Sequence, residues 1–226
     1  MSLDKIVALV PMRHASVRVP GKNYRPIAGK PLYHHILETL LACPEISQVV
    51  VDTDSPVILE GLARDFPTVT ALLRPEHLRA DTIPTNEILM HDTAQAPADL
   101  YLQTHSTNPL LRAQTVSAAI RALQEVYPAY DSLFGVTRLQ TRLWDELGRA
   151  INHNPAVLLR TQDLPPVYEE NSCIYLFTRE TLAQKRNRLG ERPLMFEIPA
   201  EEAWDIDEEI DFTVADVLLR ARKETK

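Results

Sequence analysis

Three features are scarce in this chain, and each scarcity excludes a class of protein. Its two cysteines, Cys43 and Cys173, are too few for a disulfide framework or a four-ligand zinc site. No apolar run approaches the roughly 18 residues of a membrane span, and no basic region precedes an apolar stretch at the N-terminus. The formal net charge of −7 lacks the basic excess of a nonspecific nucleic-acid binder. We expect a soluble cytoplasmic protein that binds neither nucleic acid nor membrane.

The rest of the composition is typical of a globular protein with a sizeable core. Hydrophobic residues make up 45% of the chain and charged residues 24%, which excludes a disordered chain. At about 150 residues per domain, a length of 226 residues suits one large domain or one domain with an appendage. Because no repeat or linker divides the sequence, we treat residues 1–226 as one domain. A segment at about 138–171, rich in Arg, Asn, Pro and Gln, is interpreted as an inserted arm.

Short apolar runs alternate with amphipathic segments in the first part of the chain. Five runs are predicted to be strands: Lys5–Val10, Gln48–Asp52, Val69–Leu73, Leu100–Gln103 and Ser132–Val136. Strands that alternate with helices pair in parallel, because each crossover helix returns the chain to the same end of the sheet. The sequence therefore predicts an α/β fold with an open, mostly parallel, doubly wound sheet and helices on both faces.

The helices that accompany these strands follow from apolar spacing. Amphipathic helices are predicted at Pro31–Ala42 and Ala113–Val126. Within the arm, Asp145–Arg149 is typical of a hairpin turn. A strand at Ser172–Phe177 and a short helix at Arg179–Gln184 follow the arm. The chain then ends in a predicted helix whose apolar stripe is formed by Ile210, Val214, Val217, Leu218 and Ala221.

The loop after the first strand is the first candidate binding site, because ligands of open α/β sheets bind at the carboxyl ends of the strands. It carries three cations, Arg13, Arg18 and Lys22, in a chain that is acidic overall. Arg and Lys donors beside backbone amides suit a triphosphate. The loop has neither the glycine–lysine pattern of a P-loop nor GxGxxG. From composition alone, a solvated basic loop is favoured by roughly two to one.

The loop and six further motifs resemble a known family. Its pattern Pro-x-Arg-x-x-Ser-x-x-Val-Pro-x-Lys-Asn is similar to the N-terminal signature of the CMP-sugar-acid synthetases. These are the acylneuraminate cytidylyltransferases and the related synthetases that activate Kdo and legionaminate. The other motifs follow in the family's order: Gly29-Lys30-Pro31-Leu32, Val51-Asp52-Thr53-Asp54-Ser55, Leu73-Arg74-Pro75 with Ala80-Asp81-Thr82, Gln103 with Asn108-Pro109-Leu110-Leu111-Arg112, Asn171-Ser172-Cys173-Ile174-Tyr175, and Asp205-Ile206-Asp207. The resemblance covers almost the whole chain and implies a Rossmann-like nucleotidyltransferase fold.

The resemblance also implies a reaction and the residues that carry it. In such enzymes the anomeric hydroxyl of a sugar acid attacks the α-phosphorus of CTP, and pyrophosphate leaves. Arg13, Ser16, Lys22 and Asn23 match the family's nucleotide and phosphate contacts. Lys22 would supply a point charge to the triphosphate and Arg13 a planar donor fork. This chemistry consists of positioning and charge neutralisation, which a divalent metal assists.

Asp205 and Asp207 match the metal-binding aspartates of the family, which implies Mg²⁺ as the cofactor. Residues two apart in an extended segment point the same way, so both carboxylates would face one ion. The alternative for Asp207 is a helix N-cap followed by acidic first-turn residues, which explains Asp207 but not Asp205. We favour metal binding by roughly three to one, mainly on the resemblance. Asp211 is expected to be structural or to act behind the metal ligands.

The remaining candidate residues concern the cytosine base and the acceptor sugar. Thr85 and Asn86 are similar in position to residues that line the family's pyrimidine pocket, and capping of the next helix by Thr82 or Thr85 is an equal alternative. The acceptor side has four candidates: Gln103 and Tyr175, which match positions at the family's sugar site, and Arg160 and Gln162, which lie near its substrate-carboxylate arginine. A core aromatic is the alternative for Tyr175.

The resemblance further implies a homodimer in which the 138–171 arm reaches over the partner's site. Two departures keep other functions open. Val17 stands where the family has a lysine, and Glu169-Glu170 stands where many members carry an arginine. One alternative is a nucleotidyltransferase of the same fold with another base or a sugar-phosphate acceptor. The other is a nucleotide-binding homologue with little catalytic activity.

Overall fold

The computed structural model describes residues 3–224 of the chain. Nine strands follow one another along it: β1 (Ile6–Met12), β2 (Pro26–Ile27), β3 (Lys30–Pro31), β4 (Ile46–Thr53), β5 (Thr70–Leu73), β6 (Leu100–Gln103), β7 (Ser132–Leu139), β8 (Val167–Phe177) and β9 (Pro193–Glu197). The helices are α1 (Leu32–Leu41), α2 (Pro56–Asp65), α3 (Thr85–Gln95), α4 (Ala113–Val126), α5 (Arg179–Lys185) and α6 (Glu209–Glu224). Short 3₁₀ turns occur at Lys22–Tyr24, Glu76–Leu78 and Thr161–Asp163.

Seven of these strands form one sheet in the order β5-β4-β1-β6-β8-β7-β9, and β2 and β3 form a separate hairpin. Only β8 runs against its neighbours in the large sheet, since it pairs antiparallel with both β6 and β7. The predicted open, mostly parallel α/β sheet is therefore confirmed. None of the helices in residues 3–224 combines the length and apolar character that a membrane crossing requires.

Helices cover both faces of the sheet, as the alternating pattern predicts. One face packs on α1, α2 and α4, whose buried residues join alternate residues of β1 in a single apolar cluster. The other face packs on α3 and α5. Within β1, the run Ile6–Val10 is fully buried because side chains on both faces meet helices. This arrangement leaves the carboxyl ends of the central strands free to carry loops.

Two predicted elements coincide with observed ones, and the last helix needs a correction. Strand β6 and helix α4 have the predicted bounds. The predicted stripe of α6 is wrong at Ile210, Val217 and Ala221, which are exposed, whereas Leu218 packs partly buried against the cluster. The helix instead buries Phe212, Ala215 and Leu219, which repeat at helical spacing and form a face of the helix next to the predicted one. Helix α2 and strand β9 were not predicted.

The arm extends from the hairpin of β7 and β8, whose last paired residues are Leu139 and Val167. Its predicted hairpin turn is present: Trp144 bridges to Ala150, and Gly148 adopts a left-handed φ of 73°. The arm exposes an unusual set of large apolar side chains: Trp144, Leu147, Ile151, Val157, Leu158, Leu159 and Tyr168. An exposed apolar set of this kind is typical of a surface that contacts another molecule.

Candidate active site

A cleft of about 440 Å³ opens at the carboxyl ends of β1 and β6. From β1 the chain continues to β4 and β5 on one side, whereas β6 lies on the other side of β1, so the strand order reverses at this point. Such switch points are where open α/β sheets bind ligands. The loops that line the cleft supply Arg13, Ser16, Arg18, Lys22, Asn23, Arg74, Asp81, Thr85, His105, Ser106 and Thr107 among its polar residues.

An apolar cluster holds the basic loop against the segment that contains the two aspartates. Val19 from the loop and Ile206 from between the aspartates are both fully buried, and they share a cluster with the inner face of α6. Burial of side chains of this size contributes about 1.5–3 kcal/mol each. In addition, the Ile206 N–H donates to the Thr107 carbonyl at 3.0 Å. The polar residues next to Val19 and Ile206 are therefore brought together.

Asp207 lies against two of the loop's cations. Its Oδ1 accepts a hydrogen bond from Arg18 Nη2 at 2.7 Å and lies 3.6 Å from Lys22 Nζ. Lys22 also donates to the backbone carbonyl of Ile206. Lys22 is mostly buried whereas Arg18 is exposed, so Lys22 is held more firmly at this junction. Positive charge from the loop and negative charge from the C-terminal part of the chain thus meet beside the cleft, which Arg18 and Lys22 line but Asp205 and Asp207 do not.

The helix-cap alternative for Asp207 does not match the observed contacts. Helix α6 begins at Glu209, and the carboxylate beside its first turn belongs to Asp211. Asp211 Oδ2 accepts the backbone N–H groups of Asp207 and Glu208 at 3.0 and 2.8 Å. Asp211 therefore satisfies the backbone donors at the helix start, as its expected structural role requires. The side chain of Asp207 does not cap the helix and instead contacts Arg18 and Lys22.

Asp205 is held differently from Asp207. One of its carboxylate oxygens, Oδ1, is buried and has no hydrogen-bond partner among the described residues. Burial raises the pKa of Asp205, an effect that the neighbouring charge of Asp207 reinforces and a hydrogen bond from Thr107 opposes. A buried carboxylate oxygen without a partner is destabilising unless a cation or proton reaches it. The pair therefore fits a hard divalent ion, which prefers a few carboxylates together with phosphate oxygens.

The other predicted loop residues have distinct positions. Arg13 points across the cleft and pairs with Asp81 at 2.8 Å. Asn23 is buried: its Nδ2 donates to the Arg13 carbonyl at 2.8 Å, and its Oδ1 accepts from Ser106 at 2.7 Å. Ser16 Oγ accepts the Val19 N–H at 3.4 Å. Asn23 thus ties the loop after β1 to the loop after β6.

Thr85 lines the cleft, and its neighbour Asn86 does not. Helix α3 begins at Thr85 directly after Pro84, with no side-chain cap. The capping alternative for Thr82 or Thr85 is therefore wrong. Asn86 Nδ2 lies 3.4 Å from Asn187 Oδ1, and its own buried Oδ1 has no partner in the described part of the chain.

Gln103 and Tyr175 are neighbours on β6 and β8, where they pair across the two strands. Both are fully buried. Arg188, from the segment after α5, donates to Gln103 Oε1 and lies 3.5 Å above the Tyr175 ring centroid. The Tyr175 hydroxyl donates to Glu170. Arg188 was not identified from the sequence.

Arg160 and Gln162 lie in the arm and do not line the cleft of their own chain. Arg160 is exposed and forms an ion pair with Asp163 at 2.7 Å. Gln162 offers its carbonyl oxygen to Gln140 at 3.3 Å. These two residues are thus separate from Gln103 and Tyr175 in this structure.

A buried charge network beneath the cleft was also missed. Arg74 is 1% exposed, pairs with Asp52 through Nε, and donates to the Met12 carbonyl at 3.3 Å, while its Nη1 has no partner within residues 3–224. Burial, and then the neighbouring Asp52 carboxylate, raise the pKa of Asp92 to about 8. Asp52, Asp92 and His91 lie close together. In the described part of the chain they form the one cluster of three carboxylate or imidazole side chains that is compact enough to hold a metal ion. Arg74 already neutralises Asp52, so a protonated Asp92 balances the network without an ion.

His105 is the imidazole of the cleft. Burial lowers its pKa to about 4, and the nearby charges of Arg188 and Lys22 act in the same direction. His105 is therefore neutral at neutral pH. Its Nε2 lies 3.1 Å from Gln103 Nε2, which links the cleft to Gln103.

Comparison with known proteins agrees with this geometry. The sequence profile of the cytidylyltransferase family matches residues 7–220. A CMP-N,N'-diacetyllegionaminic acid synthase of Legionella pneumophila is 28% identical, over 97% of this chain and 98% of its own length. An N-acylneuraminate cytidylyltransferase of Danio rerio is 27% identical, over 92% of this chain but only 50% of its own length.

The fold has a close structural counterpart as well. A solved structure of CMP:2-keto-3-deoxy-manno-octonic acid synthetase in complex with CTP superposes with a TM-score of 0.72, at 19% identity, over 96% of this chain and 99% of that one. That likeness concerns the fold. The family rests on the sequence match, which spans nearly all of the sheet and the cleft. This chain belongs to the cytidylyltransferase family.

Proposed function

We propose that residues 1–226 act as one catalytic domain that joins the CMP part of CTP to the anomeric hydroxyl of a sugar acid and releases pyrophosphate. The observation that carries the proposal is the meeting of Lys22 and Arg18 with Asp207 at the cleft. A triphosphate and its divalent ion require cations and carboxylates at one place. The names of the relatives, which refer to legionaminic and neuraminic acids, favour a sugar acid as the acceptor.

The protein's part in this reaction is positioning and charge neutralisation. The sugar oxygen forms a bond to the α-phosphorus, the bond from that phosphorus to pyrophosphate breaks, and the hydroxyl proton passes to solvent. Negative charge grows on the departing pyrophosphate. Lys22 supplies a compact charge there, and Arg13 supplies a planar fork once it exchanges Asp81 for phosphate. The unpartnered Nη1 of Arg74 is a further donor on the cleft wall.

We assign the metal site to Asp205 and Asp207, and we propose Mg²⁺ as the ion. The support is the unpartnered buried oxygen of Asp205 and the contact of Asp207 with two cations that line the cleft. When bound, the ion would neutralise phosphate charge and orient the triphosphate. Ser16 and Asn23 shape the loop that receives the nucleotide. Thr85, whose side chain is not used as a cap, and Asn86 are proposed to contact the cytosine.

The acceptor sugar is proposed to bind beside Gln103 and Tyr175. Arg160 and Gln162 are proposed to act across a homodimer, on the arm that reaches the partner's cleft. The exposed apolar side chains of the arm support such a dimer, because aromatic and aliphatic anchors are typical of subunit interfaces. A cytoplasmic location is proposed because Cys43 and Cys173 are buried free thiols, which suit a reducing compartment.

The test is pyrophosphate release with each nucleoside triphosphate and a panel of acceptors: N-acetylneuraminic acid, N,N'-diacetyllegionaminic acid and 3-deoxy-manno-octulosonic acid. We expect release only with CTP, with at least one of the acids, and only with Mg²⁺ present. Release with another base or a sugar phosphate would replace the proposal by a different nucleotidyltransferase. Tight CTP binding without release for any acid would make the chain a nucleotide-binding homologue.

A further inference from the structure

Arg188 is a partly buried cation whose side-chain contacts are neutral groups. Its Nη1 donates to Gln103 Oε1, and its Cζ lies 3.5 Å above the ring centroid of Tyr175. Gln103 and Tyr175 are buried residues of two central strands, so they hold one edge and one face of the guanidinium in a fixed orientation. The other edge of the fork remains for a ligand.

None of the described residues places a carboxylate oxygen within 4.0 Å of a guanidinium nitrogen of Arg188, the distance that an ion pair requires. Its sequence neighbours differ, since Arg186 pairs with Glu87 and Lys185 with Glu191. The nearby acid, Glu170, is engaged by the Tyr175 hydroxyl. Burial lowers the pKa of Arg188, whereas the neighbouring Tyr175 hydroxyl and Glu170 carboxylate oppose that shift. A partly desolvated guanidinium without an ion-pair partner is destabilising in a folded protein and is often kept for an anionic ligand.

Arg188 also lies beside the cleft. Gln103 contacts His105 at 3.1 Å, and His105 lines the cleft with Ser106 and Thr107. The charge of Arg188 is close enough to lower the pKa of His105. The cations of the nucleotide loop act from the other side, where Lys22 meets Asp207. Arg188 is therefore placed on the side of Gln103 and Tyr175, where the acceptor is proposed to bind.

We propose that Arg188 binds the carboxylate of the sugar acid through the free edge of its guanidinium. The inference rests on the proposed function, because it requires an acidic acceptor. The planar fork matches a carboxylate, and the ring of Tyr175 and the amide of Gln103 fix its orientation in advance. The acidic pair Glu169-Glu170 is no obstacle, because Glu169 is exposed and Glu170 is bound to the tyrosine.

The test compares steady-state kinetics of Arg188→Met and Arg188→Lys with those of the unaltered chain. We expect the KM for the sugar acid to rise about 10- to 100-fold in Arg188→Met, the size of a lost charge-assisted hydrogen bond. The KM for CTP should stay within about twofold, and Arg188→Lys should recover part of the loss. Arg186→Met, an exposed arginine two residues away, is the matched control and should behave as the unaltered chain.

A change in the substrate tests the same contact without a change in the protein. The methyl ester of the sugar acid lacks the negative charge, so the unaltered chain should lose about 10- to 100-fold in kcat/KM on the ester. Arg188→Met should lose little more on the ester than it has already lost on the acid. Equal use of acid and ester by the unaltered chain, or a rise in the KM for CTP alone, would overturn the role of Arg188. No turnover with any acid would overturn the proposed function itself.

Discussion

Lys22 Nζ lies 3.6 Å from Asp207 Oδ1, although the two residues belong to opposite ends of the chain. The burial of Val19 and Ile206 in one cluster with α6 brings them together. The cation that we propose binds phosphate and the carboxylate that we propose binds the metal are thereby held side by side before any substrate arrives. Such preorganisation makes charge neutralisation effective in a transition state.

Removal of either charge should impair turnover. We expect Lys22→Ala and Asp207→Ala each to lower kcat by on the order of 10²-fold, a size typical of a charge that stabilises a transition state. The measurement is the rate of pyrophosphate release with CTP, sugar acid and Mg²⁺. Lys185→Ala is the control, because Lys185 pairs with Glu191 at the surface away from the cleft.

The double variant Lys22→Ala/Asp207→Ala gives a sharper result. Since we propose that the two side chains act on the same triphosphate, we expect its loss to be clearly smaller than the product of the single losses. Unchanged kinetics in either single variant would contradict the assignment of these residues.

The buried carboxyl of Asp92 should make stability depend on pH. Its pKa is about 8 in the folded chain and about 3.8 without the fold, so the folded state binds a proton that the unfolded state releases between these values. The ionisable groups that face it are Asp52, Arg74 and His91. Stability should therefore fall as pH rises from about 4 to about 8, by up to about 1.4 kcal/mol per pH unit from this group.

Urea unfolding from pH 5 to pH 8 checks this dependence. Asp92→Asn has no proton to release and should show a flatter profile than the unaltered chain. Asp4→Asn, which removes an exposed carboxylate, should keep the profile of the unaltered chain. Parallel curves for the unaltered chain and Asp92→Asn would show that Asp92 is charged in the folded state.

Gly21 should be required for the geometry of the basic loop. It has φ 66°, directly before Lys22, and a Cβ there would lie 2.9 Å from Cε2 of Tyr24. Gly148 in the arm has a similar φ of 73° but nothing within 4 Å of a Cβ. Gly148→Ala should therefore lower the free energy of unfolding by about 1–2 kcal/mol through backbone strain alone. Gly21→Ala should lower it by more.

Thermal unfolding of the two variants separates steric contact from strain. Gly21→Ala should also raise the KM for CTP, because it displaces Lys22, whereas Gly148→Ala should leave that KM unchanged. An equal loss of stability in both variants would mean that Tyr24 moves aside without cost.

The arm should be required for dimerisation. Leu158 is 91% exposed and Trp144 is 51% exposed, values that a partner subunit would reduce. We expect Leu158→Asp/Trp144→Ser to shift the protein to monomers in sedimentation analysis and to lower activity, because the arm would no longer reach the other cleft. Val57→Asp, an exposed apolar residue outside the arm, should leave the oligomeric state as it is. Dimers that persist without the arm's anchors would contradict this interface.

The central sheet could be predicted from the sequence because its signals are local. Leu100–Gln103 is a short apolar run, and Ala113–Val126 has helical apolar spacing, so each element has its observed bounds. The inner face of α6 could not be predicted in the same way. Phe212 and Ala215 are selected over Ile210 and Val217 by contact with residues near the N-terminus, and no local pattern encodes that contact.

Parts of the site escaped prediction for the same reason. Arg74 lies within a motif of the family, yet its burial against Asp52 depends on the pairing of β4 with the strands beside it. Arg188 lies in a polar segment without periodicity, and its contact with Gln103 spans 85 residues. The family's motifs suggest Lys22, Asp205 and Asp207, whereas the contacts of Arg74 and Arg188 became evident only from the fold.

The most direct test of cytidylyl transfer at this cleft is to identify the product that forms from CTP and a sugar acid in the presence of Mg²⁺. Phosphorus NMR of the reaction should show a new phosphodiester signal and free pyrophosphate growing together, in equal amounts, as CTP disappears. Lys22→Ala should delay both signals by about the same factor. Loss of CTP without the phosphodiester, or a full rate in Lys22→Ala, would contradict the claim that this cleft performs cytidylyl transfer.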